Sequence, residues 1–469
     1  MFCLFVHKSV DLSKNGPLLY LLRRRRRRRS SSPRREMTGP RPLLLALLSS
    51  VLLVVLTLAL VLPSTIKYKT PQLIHFSTFQ QQPPEITPPN PTPTAEPCSP
   101  PAKATPNPKT DAEKNSEKPG PYHNWEHFNA DYNEMMQNLK IYTYPDVHKK
   151  SSPFSNIFLP LPDAKKLGNY YSEHAFKTAL LSSPLLTSRP EEAHLFYMPF
   201  SINLMRLDRR LHSAESIKKF VARYADRISS EFAFWNASGG ADHLYVCCHS
   251  IGRDAASNHE GLRNSAIQVT CSSSYFQRLY VSHKDVTLPQ VWPRPDLDRA
   301  STNPPDKRNK LVFFAGREQN ARVREKLIAL WGKEASMDIF SNNRSFPYEE
   351  GFRRSKYCLS VKGYEVNTAR VSDAIHFGCI PVIISDYYDL PFTNVLDWSK
   401  FSIIINEEDI RILKKILLSI SEETYLTMYN NLFLVRRHFS WHTPPRRFDS
   451  FYMTAYQLWL RRGLHRLSY

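Results

Sequence analysis

The sequence lacks the cysteine and histidine patterns that hold structural zinc. Only 7 of its 469 residues are cysteine. No two of them form a Cys-x-x-Cys pair, and none stands at a zinc-site spacing from histidine. Zinc-finger and zinc-ribbon folds are therefore excluded.

The few cysteines are instead candidates for disulfides. The globular part contains five of them: Cys247, Cys248, Cys271, Cys358 and Cys379. Pairing of Cys271 with either Cys247 or Cys248 is one hypothesis. Adjacent cysteines on an apolar strand are equally consistent with buried thiols.

Acidic residues are scarce at the start of the chain. Residues 1–41 contain twelve Lys and Arg but two Asp and Glu, so half of the net charge of +20 comes from this segment. Seven of these charges form the run Arg23–Arg29. Because the excess is concentrated at one terminus, we expect no nucleic-acid partner.

Charged residues are absent between Leu43 and Leu62. Twenty uncharged residues rise about 30 Å as a helix, which is enough to cross a bilayer. The arginine run predicts a cytosolic N-terminus and a lumenal remainder. A cleaved signal peptide is the alternative, but its apolar region would be shorter. In the lumen, the sequons at Asn236 and Asn343 would be available for glycosylation.

Proline is concentrated after this span, with 14 of the 36 prolines between Ser64 and Pro121. Such a segment buries too little apolar surface to fold and is predicted to be an extended stem. The predicted organisation is a cytosolic tail at 1–42, a transmembrane signal-anchor at 43–62, a stem at 63–121, an N-terminal domain at 122–305 and a C-terminal domain at 306–469.

The globular part alternates apolar strands and amphipathic helices. Strands are predicted at 140–144, 194–200, 243–248, 311–314, 337–340, 357–361, 380–384 and 401–405, and helices at 173–181, 216–229, 321–331, 348–355, 410–420, 422–439 and 448–460. This order predicts an α/β fold with parallel, doubly wound sheets. We expect the last two helices to pack back across both domains. Ligands bind beyond the carboxyl ends of such strands, where Gly316, Gly363 and Asp386 would line one crevice.

The segment Lys362–Asp386 is the most informative about function. It reads as a loop, a short helix and a buried strand. Asn367 or Thr368 is predicted to cap the helix, whose free N–H groups would face an anion. Arg370 adds a guanidinium suited to phosphate, and Asp373 adds a carboxylate suited to ribose hydroxyls. These features predict a site for a nucleotide-linked donor, and an ordinary α/β unit with solvated charges is the alternative.

Seven sequence blocks occur in a characteristic order: YSEHAF, RPEEAHLFYMPF, WNASGGADHLYVCCH, KDVTLPQ, FFAGR, KGYEVNTARVSDAIHFGCIPVIISD and HFSWH. They closely resemble the plant exostosin-type glycosyltransferases of family 47. The resemblance extends from about residue 122 to the C-terminus, which is nearly all of the globular part.

The resemblance implies the GT-B architecture, in which two Rossmann-like domains face each other. The N-terminal domain would serve the acceptor and the C-terminal domain the nucleotide sugar. The implied reaction is an inverting, metal-independent transfer from a nucleotide sugar, usually a UDP-sugar, to a cell-wall polysaccharide or glycoprotein glycan. No cofactor beyond this donor substrate is expected. The implied location is the Golgi membrane, as a single-pass type II protein with a lumenal catalytic part, and other glycosyltransferases are candidate partners.

The family's donor site maps onto six residues of this sequence: Gly316, Arg317, Gly363, Asn367, Arg370 and Asp373. Relatives usually carry Glu at the position of Asp373, and the shorter Asp would loosen the ribose contact. The sequence Asp296-Leu297-Asp298 has the form of the metal-binding motif of another glycosyltransferase architecture. It lies in a proline-rich stretch rather than after a strand, so we interpret it as a chance match.

An inverting transfer needs a general base within about 3 Å of the acceptor hydroxyl. The candidate catalytic residues are Asp242, His249 and Glu365. His243 was also considered, but it opens an apolar strand and is more typical of a core histidine. After Cys-Cys-His, relatives commonly have Asp-Trp where this chain has Ser250-Ile251. If that Asp is the base, this chain is impaired or uses another group.

Two functions from different classes therefore remain. An active glycosyltransferase is the leading hypothesis, because the donor-site residues are retained. The alternative is a non-catalytic partner that binds sugar or scaffolds an active glycosyltransferase complex, and the Ser250-Ile251 departure favours it. Relatives use xylose, galactose, arabinose or glucuronic acid, and the sequence does not select among them.

Overall fold

The computed structural model describes residues 120–161, 164–276, 279–341 and 346–462. The predicted tail, the membrane anchor, almost all of the stem and the sequon at Asn343 lie outside the described residues. Within these ranges, no helix is both long and apolar enough to cross a membrane.

Two β-sheets organise this part of the chain. The first has the order β2-β1-β3-β4-β5-β6 and the second the order β11-β10-β9-β7-β8. The strands are β1 Ile141–Thr143, β2 Leu186–Thr187, β3 Leu195–Tyr197, β4 His243–Cys247, β5 Ile267–Thr270, β6 Val286–Thr287, β7 Lys310–Ala315, β8 Met337–Phe340, β9 Ser355–Val361, β10 Ile380–Ile384 and β11 Ile403–Ile404. Every strand pair is parallel. The predicted α/β class with parallel sheets is confirmed.

Helices connect and cover these strands. They are α1 Trp125–Asn138, α2 Ser155–Phe158, α3 Tyr171–Leu181, α4 Ile202–Leu207, α5 Ala214–Glu231, α6 Phe234–Ser238, α7 Ile251–Ala255, α8 Glu260–Asn264, α9 Arg322–Trp331, α10 Tyr348–Arg354, α11 Arg370–His376, α12 Leu413–Leu418, α13 Glu422–Val435 and α14 Ser450–Arg461.

Local sequence explains the main elements. All five residues of β10 are buried, as expected for a β-branched strand paired on both sides. In α5, the Ser213 hydroxyl accepts a hydrogen bond from the Ser216 N–H, and Ile217, Val221 and Ile228 form its buried face. Spacing and capping therefore agree with the observed structure.

Some elements escaped the sequence analysis. The strands β2 and β6 have two residues each and lie at the edges of the first sheet, so they are too short to show a period. The strand β5 and the helix α1 were also not predicted. The helix predicted at 410–420 is instead a 3₁₀ helix at Glu407–Ile412 followed by α12.

The last two helices bridge the two sheets, as expected. The helix α13 packs on the second sheet, where the Tyr425 and Tyr357 ring centroids are 5.7 Å apart. The helix α14 returns to the first sheet, contacting β6 and the helix α3, where the Phe451 and Phe176 ring centroids are 5.5 Å apart. These contacts hold the N- and C-terminal parts of the globular region together.

The carboxyl ends of the two sheets also meet directly. Ser274 and Tyr388 form an isolated antiparallel bridge, and the Asp389 N–H donates to the Ser273 carbonyl at 3.1 Å. Both segments follow strand ends, those of β5 and β10. The pairing therefore places the ligand-binding edges of both sheets side by side.

Candidate functional site

A cleft of about 1010 Å³ lies at these carboxyl ends. The first sheet contributes residues that follow β4 and β6, and the second contributes residues that follow β7 and β9. The lining residues include Asn169, Tyr170, Cys248, His249, Ser250, Ile251, Gln290, Trp292, Gly316, Arg317, Asn320, Arg324, Tyr348, Gly363, Tyr364, Glu365, Asn367, Thr368 and Arg370. Seven of the nine predicted site residues are thus brought together.

Arg370 is the first residue of α11, and its guanidinium is held in place by the backbone. Its Nε and Nη2 donate to the Ala315 carbonyl at 2.9 and 2.6 Å, and its Nη1 donates to Thr368 Oγ1 at 2.8 Å. The guanidinium also lies over the Phe314 ring. A Cβ at Gly316 would stand 2.7 Å from Arg370 Nη2. Gly316 therefore leaves the space that this side chain occupies.

The predicted helix cap is wrong in detail. The residue before α11 is Ala369, which provides no side-chain cap. The Thr368 hydroxyl instead accepts from the Arg370 side chain and, at 3.4 Å, from its backbone N–H. Positive charge at this end of the cleft therefore comes mainly from guanidinium groups.

Arg324, which was not predicted from the sequence, places a second guanidinium beside Phe314, and this one is buried. Its Nε and Nη2 donate to the carbonyls of Lys362 and Val361 at 2.9 and 2.8 Å. A Cβ at Gly363 would stand 2.8 Å from Arg324 Nη2. Burial, and then the charge of Arg370, lowers the pKa of Arg324 to about 9. The pair is thus electrostatically unfavourable until an anion is present.

Arg317 follows β7 and is an exposed residue at the same cleft. Within the described ranges, none of Arg317, Arg324 and Arg370 forms an ion pair with a carboxylate. Arg324 and Arg370 instead bond to neutral oxygens. Three guanidiniums without a carboxylate partner make this wall of the cleft suited to a multiply charged anion.

The amide of Asn367 joins the two sides of the cleft. Its Nδ2 donates to Gln290 Oε1 at 2.9 Å, and Gln290 follows β6 of the first sheet. Asn367 is 9% exposed, and its Oδ1 has no hydrogen-bond partner within the described part of the chain. A buried acceptor without a donor is costly, so this position favours a ligand that supplies one.

Asp373 does not reach the cleft. It is 1% exposed, and its oxygens accept from Arg294 Nε at 2.8 Å and from the Tyr348 hydroxyl at 3.1 Å. Burial raises its pKa, and Arg294 opposes that shift. Tyr348 lines the cleft in front of it, while Asp373 borders a smaller cavity of about 400 Å³. Asp373 therefore orients Tyr348 in this structure rather than facing a ligand.

Glu365 crosses between the two sheets. Its carboxylate accepts from Arg253 Nη1 at 2.5 Å, from Arg253 Nη2 at 3.2 Å and from Ser272 Oγ at 2.6 Å. Arg253 and Ser272 belong to the first sheet's side, and Glu365 follows β9 of the second. The pair fixes the loop that contains Gly363 and Asn367.

His249 also lies in the cleft, in a neutral form. Its Nδ1 accepts from the Ile251 N–H at 3.2 Å, so the ring proton is on Nε2. Burial, and then the charge of Arg206, lowers its pKa to about 4, whereas Glu365 opposes the shift. In this tautomer His249 donates a hydrogen bond to a ligand rather than accepting a proton at Nε2.

Asp242 lies away from the cleft. It precedes β4, and the cleft residues follow that strand. Its Oδ1 accepts from Ser238 Oγ at 2.5 Å and bonds His243 Nδ1 at 2.7 Å. His243 is fully buried, as expected for a core histidine. The structure therefore does not bring Asp242 to the candidate site.

Two acidic positions singled out in the sequence remain: Asp386, which was predicted to line the crevice, and Asp296, which was interpreted as part of a chance motif match. Asp386 does not line the cleft, because it is bound to Glu407. Its backbone N–H donates to Glu407 Oε1, and its Oδ1 accepts from the Glu407 N–H. The carboxylate of Asp296 forms hydrogen bonds with His442 Nε2 and Arg446 Nη1. The described residues contain no group of three or more His, Cys, Asp or Glu that could hold a metal ion.

Two disulfides brace the segments around the cleft. Cys248 pairs with Cys271, which selects one of the two pairings considered, and Cys247 is a buried free thiol. Cys358 pairs with Cys379 and closes a loop that contains the cleft residues of 363–370 together with α11.

Comparison with known proteins agrees with this arrangement. The exostosin GT47 domain matches residues 135–420. A probable glycosyltransferase of Arabidopsis thaliana is 35% identical over 73% of this chain and 65% of its own length, and a second is 34% identical over 71% and 69%. The probable β-1,4-xylosyltransferase IRX10 of the same plant is 28% identical over 61% of this chain and 73% of its own. The solved structure of TarM matches with a TM-score of 0.28 and 9% identity, over 49% of this chain and 57% of that one. The chain therefore belongs to the exostosin family 47 of glycosyltransferases.

Proposed function

We propose that this protein is a glycosyltransferase that moves a sugar from a nucleotide sugar, in particular a UDP-sugar, to a glycan acceptor. The three guanidiniums that face the cleft without a carboxylate partner carry this proposal. Family membership supports it, as do the glycosyltransferase names of the relatives. The two parallel sheets that meet at their carboxyl ends are consistent with the GT-B architecture.

The donor's diphosphate gains negative charge as the bond to the sugar breaks. Arg370 and Arg324 are already held by backbone carbonyls, so little reorganisation accompanies charge development. Arg317 adds an exposed cation at the cleft. We infer a metal-independent transfer, because these guanidiniums supply the positive charge that the leaving group requires.

We infer that Glu365 is the general base of an inverting reaction. It is the only carboxylate among the described lining residues of the cleft. To act, it must exchange one of its bonds to Arg253 or Ser272 for the acceptor hydroxyl. His249, with its proton on Nε2, would orient the acceptor or the phosphate.

Turnover by the full-length chain tests this function. UDP release and sugar transfer would be measured across a panel of UDP-sugars and cell-wall or glycoprotein glycans, with and without EDTA. We expect turnover with at least one donor, persistence in EDTA, and loss of turnover with retained UDP binding in Glu365→Gln. Glu191→Gln, on an exposed turn away from the cleft, is the matched control. Absence of UDP binding by the wild type would overturn the proposal.

We also propose a type II topology in the Golgi membrane, on the basis of the charge-free span at 43–62 and the arginine run before it. The two disulfides are consistent with an oxidising lumen. Asn236 is exposed and would carry a glycan there. Sensitivity of the expressed chain to a peptide N-glycosidase, lost in Asn236→Gln and Asn343→Gln together, tests the topology.

A non-catalytic partner of another glycosyltransferase is the second candidate. Ser250 and Ile251, which replace the Asp-Trp common in relatives, both line the cleft. An acid is therefore missing at a position that faces the substrate. UDP binding without turnover of any donor, alone or with co-expressed relatives, would favour this role.

A further inference from the structure

The exposed aromatic side chains are concentrated beside the cleft. In the described ranges six large aromatic residues are exposed: Trp125, Tyr275, Phe276, Trp292, Tyr364 and Tyr387. All except Trp125 lie on segments that follow strands β5, β6, β9 and β10, at the same carboxyl edge of the two sheets as the cleft. If aromatic residues were simply frequent on the surface, they would be spread over it rather than concentrated on these segments.

Three of these residues form one surface, which we call the aromatic platform: Tyr275, Phe276 and Tyr387. Their exposed fractions are 59%, 78% and 61%. The Phe276 and Tyr387 ring centroids are 5.5 Å apart, although one residue comes from each sheet's side. The Tyr275 N–H donates to the Tyr387 carbonyl at 3.0 Å, so backbone pairing fixes their relative position.

The backbone at Tyr387 is strained. Its φ of 63° lies in the left-handed region, which is unfavourable for a bulky residue. Such a conformation is energetically costly and persists where the surrounding structure enforces it. Here the strain presents a large ring to solvent rather than to the core, which is typical of a functional surface.

The platform lies on segments next to those that line the cleft. Val361 of β9 and Ile384 of β10 are paired, and Tyr364 and Tyr387 each lie three residues beyond them. Tyr364 lines the cleft. On the other sheet, Ser272 bonds the cleft residue Glu365, three residues before Tyr275.

We propose that the aromatic platform binds pyranose rings of the acceptor glycan, beyond the sugar unit that reacts. This inference rests on the proposed glycosyltransferase function. Aromatic faces pack against the C–H groups of a sugar ring, and the Tyr387 hydroxyl can bond the sugar's hydroxyl groups. The three rings offer roughly 400 Å² of apolar area. That is about half of one side of a standard protein interface, so a glycan fits better than a protein partner.

The platform is tested by affinity electrophoresis of the full-length chain in gels that contain a xylan, a β-galactan, a soluble β-glucan or a polygalacturonate. Phe276→Ala and Tyr387→Gly are combined, because glycine adopts the positive φ without strain. We expect at least one polysaccharide to retard the wild type and the double variant to bind it at least tenfold more weakly. Leu418→Ala removes an equally exposed aliphatic side chain on α12 and is the matched control.

UDP titration of the same proteins separates the two proposals and checks folding. Unchanged UDP affinity in the double variant, with weakened glycan binding, supports the platform. If the chain does not bind UDP but its glycan binding still depends on the rings, the platform proposal stands and the donor-site proposal is overturned. The platform is overturned if no polysaccharide retards the wild type, or if Phe276→Ala and the double variant bind as well as the wild type does.

Discussion

Replacement of Gly316 by alanine tests how the cationic wall of the cleft is built. The new Cβ would stand 2.7 Å from Arg370 Nη2 and 3.0 Å from Phe314 Cζ. The guanidinium must therefore move, although it is held by the Ala315 carbonyl and by Thr368 Oγ1. Because the conflict is with the end of a side chain, we expect the fold to survive.

The hydrogen bonds that Gly316→Ala would break set the size of its effects on stability and on UDP affinity. Loss of one or two bonds to the Ala315 carbonyl should lower the free energy of unfolding by about 1–2 kcal/mol. A displaced guanidinium would also lose its charged bond to a phosphate oxygen, at a cost of about 1.5–3 kcal/mol. The affinity for UDP should therefore fall roughly 10- to 150-fold.

Isothermal titration with UDP measures this change, and thermal unfolding checks the fold. Gly120→Ala is the control, because a Cβ there meets no atom within 4 Å. It should leave UDP affinity and unfolding unchanged. If Gly316→Ala binds UDP as tightly as the control does, Arg370 does not contact the phosphates and our account of the site is refuted.

Three further perturbations follow from other parts of the structure. Burial lowers the pKa of His438 to about 3, so between pH 6.5 and 3 the unfolded chain binds more protons than the folded chain. As the pH decreases through this range, the free energy of unfolding should therefore decrease, by up to about 1.4 kcal/mol per pH unit from this group. Unfolding followed by circular dichroism at several pH values should show a shallower decrease in His438→Gln. The disulfide between Cys358 and Cys379 closes a loop of about twenty residues, so Cys358→Ser should lower the free energy of unfolding by about 3 kcal/mol. Denaturant unfolding measures this, and an unchanged midpoint in Cys358→Ser would contradict it. A double-mutant cycle on stability with Arg253→Met and Glu365→Met should show a coupling energy of about 1–3 kcal/mol. Additive effects would mean that the pair does not hold the two sheets together.

The sequence predicted most of the second sheet well because β9 and β10 are seven and five residues long and almost fully buried. Residues 337–340 and 380–384 have the predicted bounds. Apolar, β-branched runs between glycine and proline signals are enough to locate such strands. Two-residue edge strands have no period, so β2 and β6 were missed.

The candidate site was predicted less completely, for two physical reasons. The rule that ligands bind at the carboxyl ends of parallel strands should have excluded Asp242, because it precedes β4. The sequence indicated burial of Arg324 only weakly, through its position three residues before the buried Leu327 on α9. Its role depends on the carbonyls of Val361 and Lys362, which are far away in sequence.

Side-chain pairing could not be predicted at all. Asp373 is bound by Arg294 and Tyr348, and Glu365 is bound by Arg253, 112 residues away. These partners come from different elements and depend on how the two sheets meet. The sequence therefore identified residue types suited to a nucleotide donor but not which of them face it.

We propose that the diphosphate of a nucleotide sugar binds between the two sheets against guanidinium groups. A crystal structure of the full-length chain with UDP tests it most directly. We predict phosphate oxygens within hydrogen-bond distance of the Arg370 guanidinium, in the cleft lined by Gly316 and Gly363. UDP bound at another surface, or in the cleft with its phosphates turned away from Arg370, Arg324 and Arg317, would contradict the account.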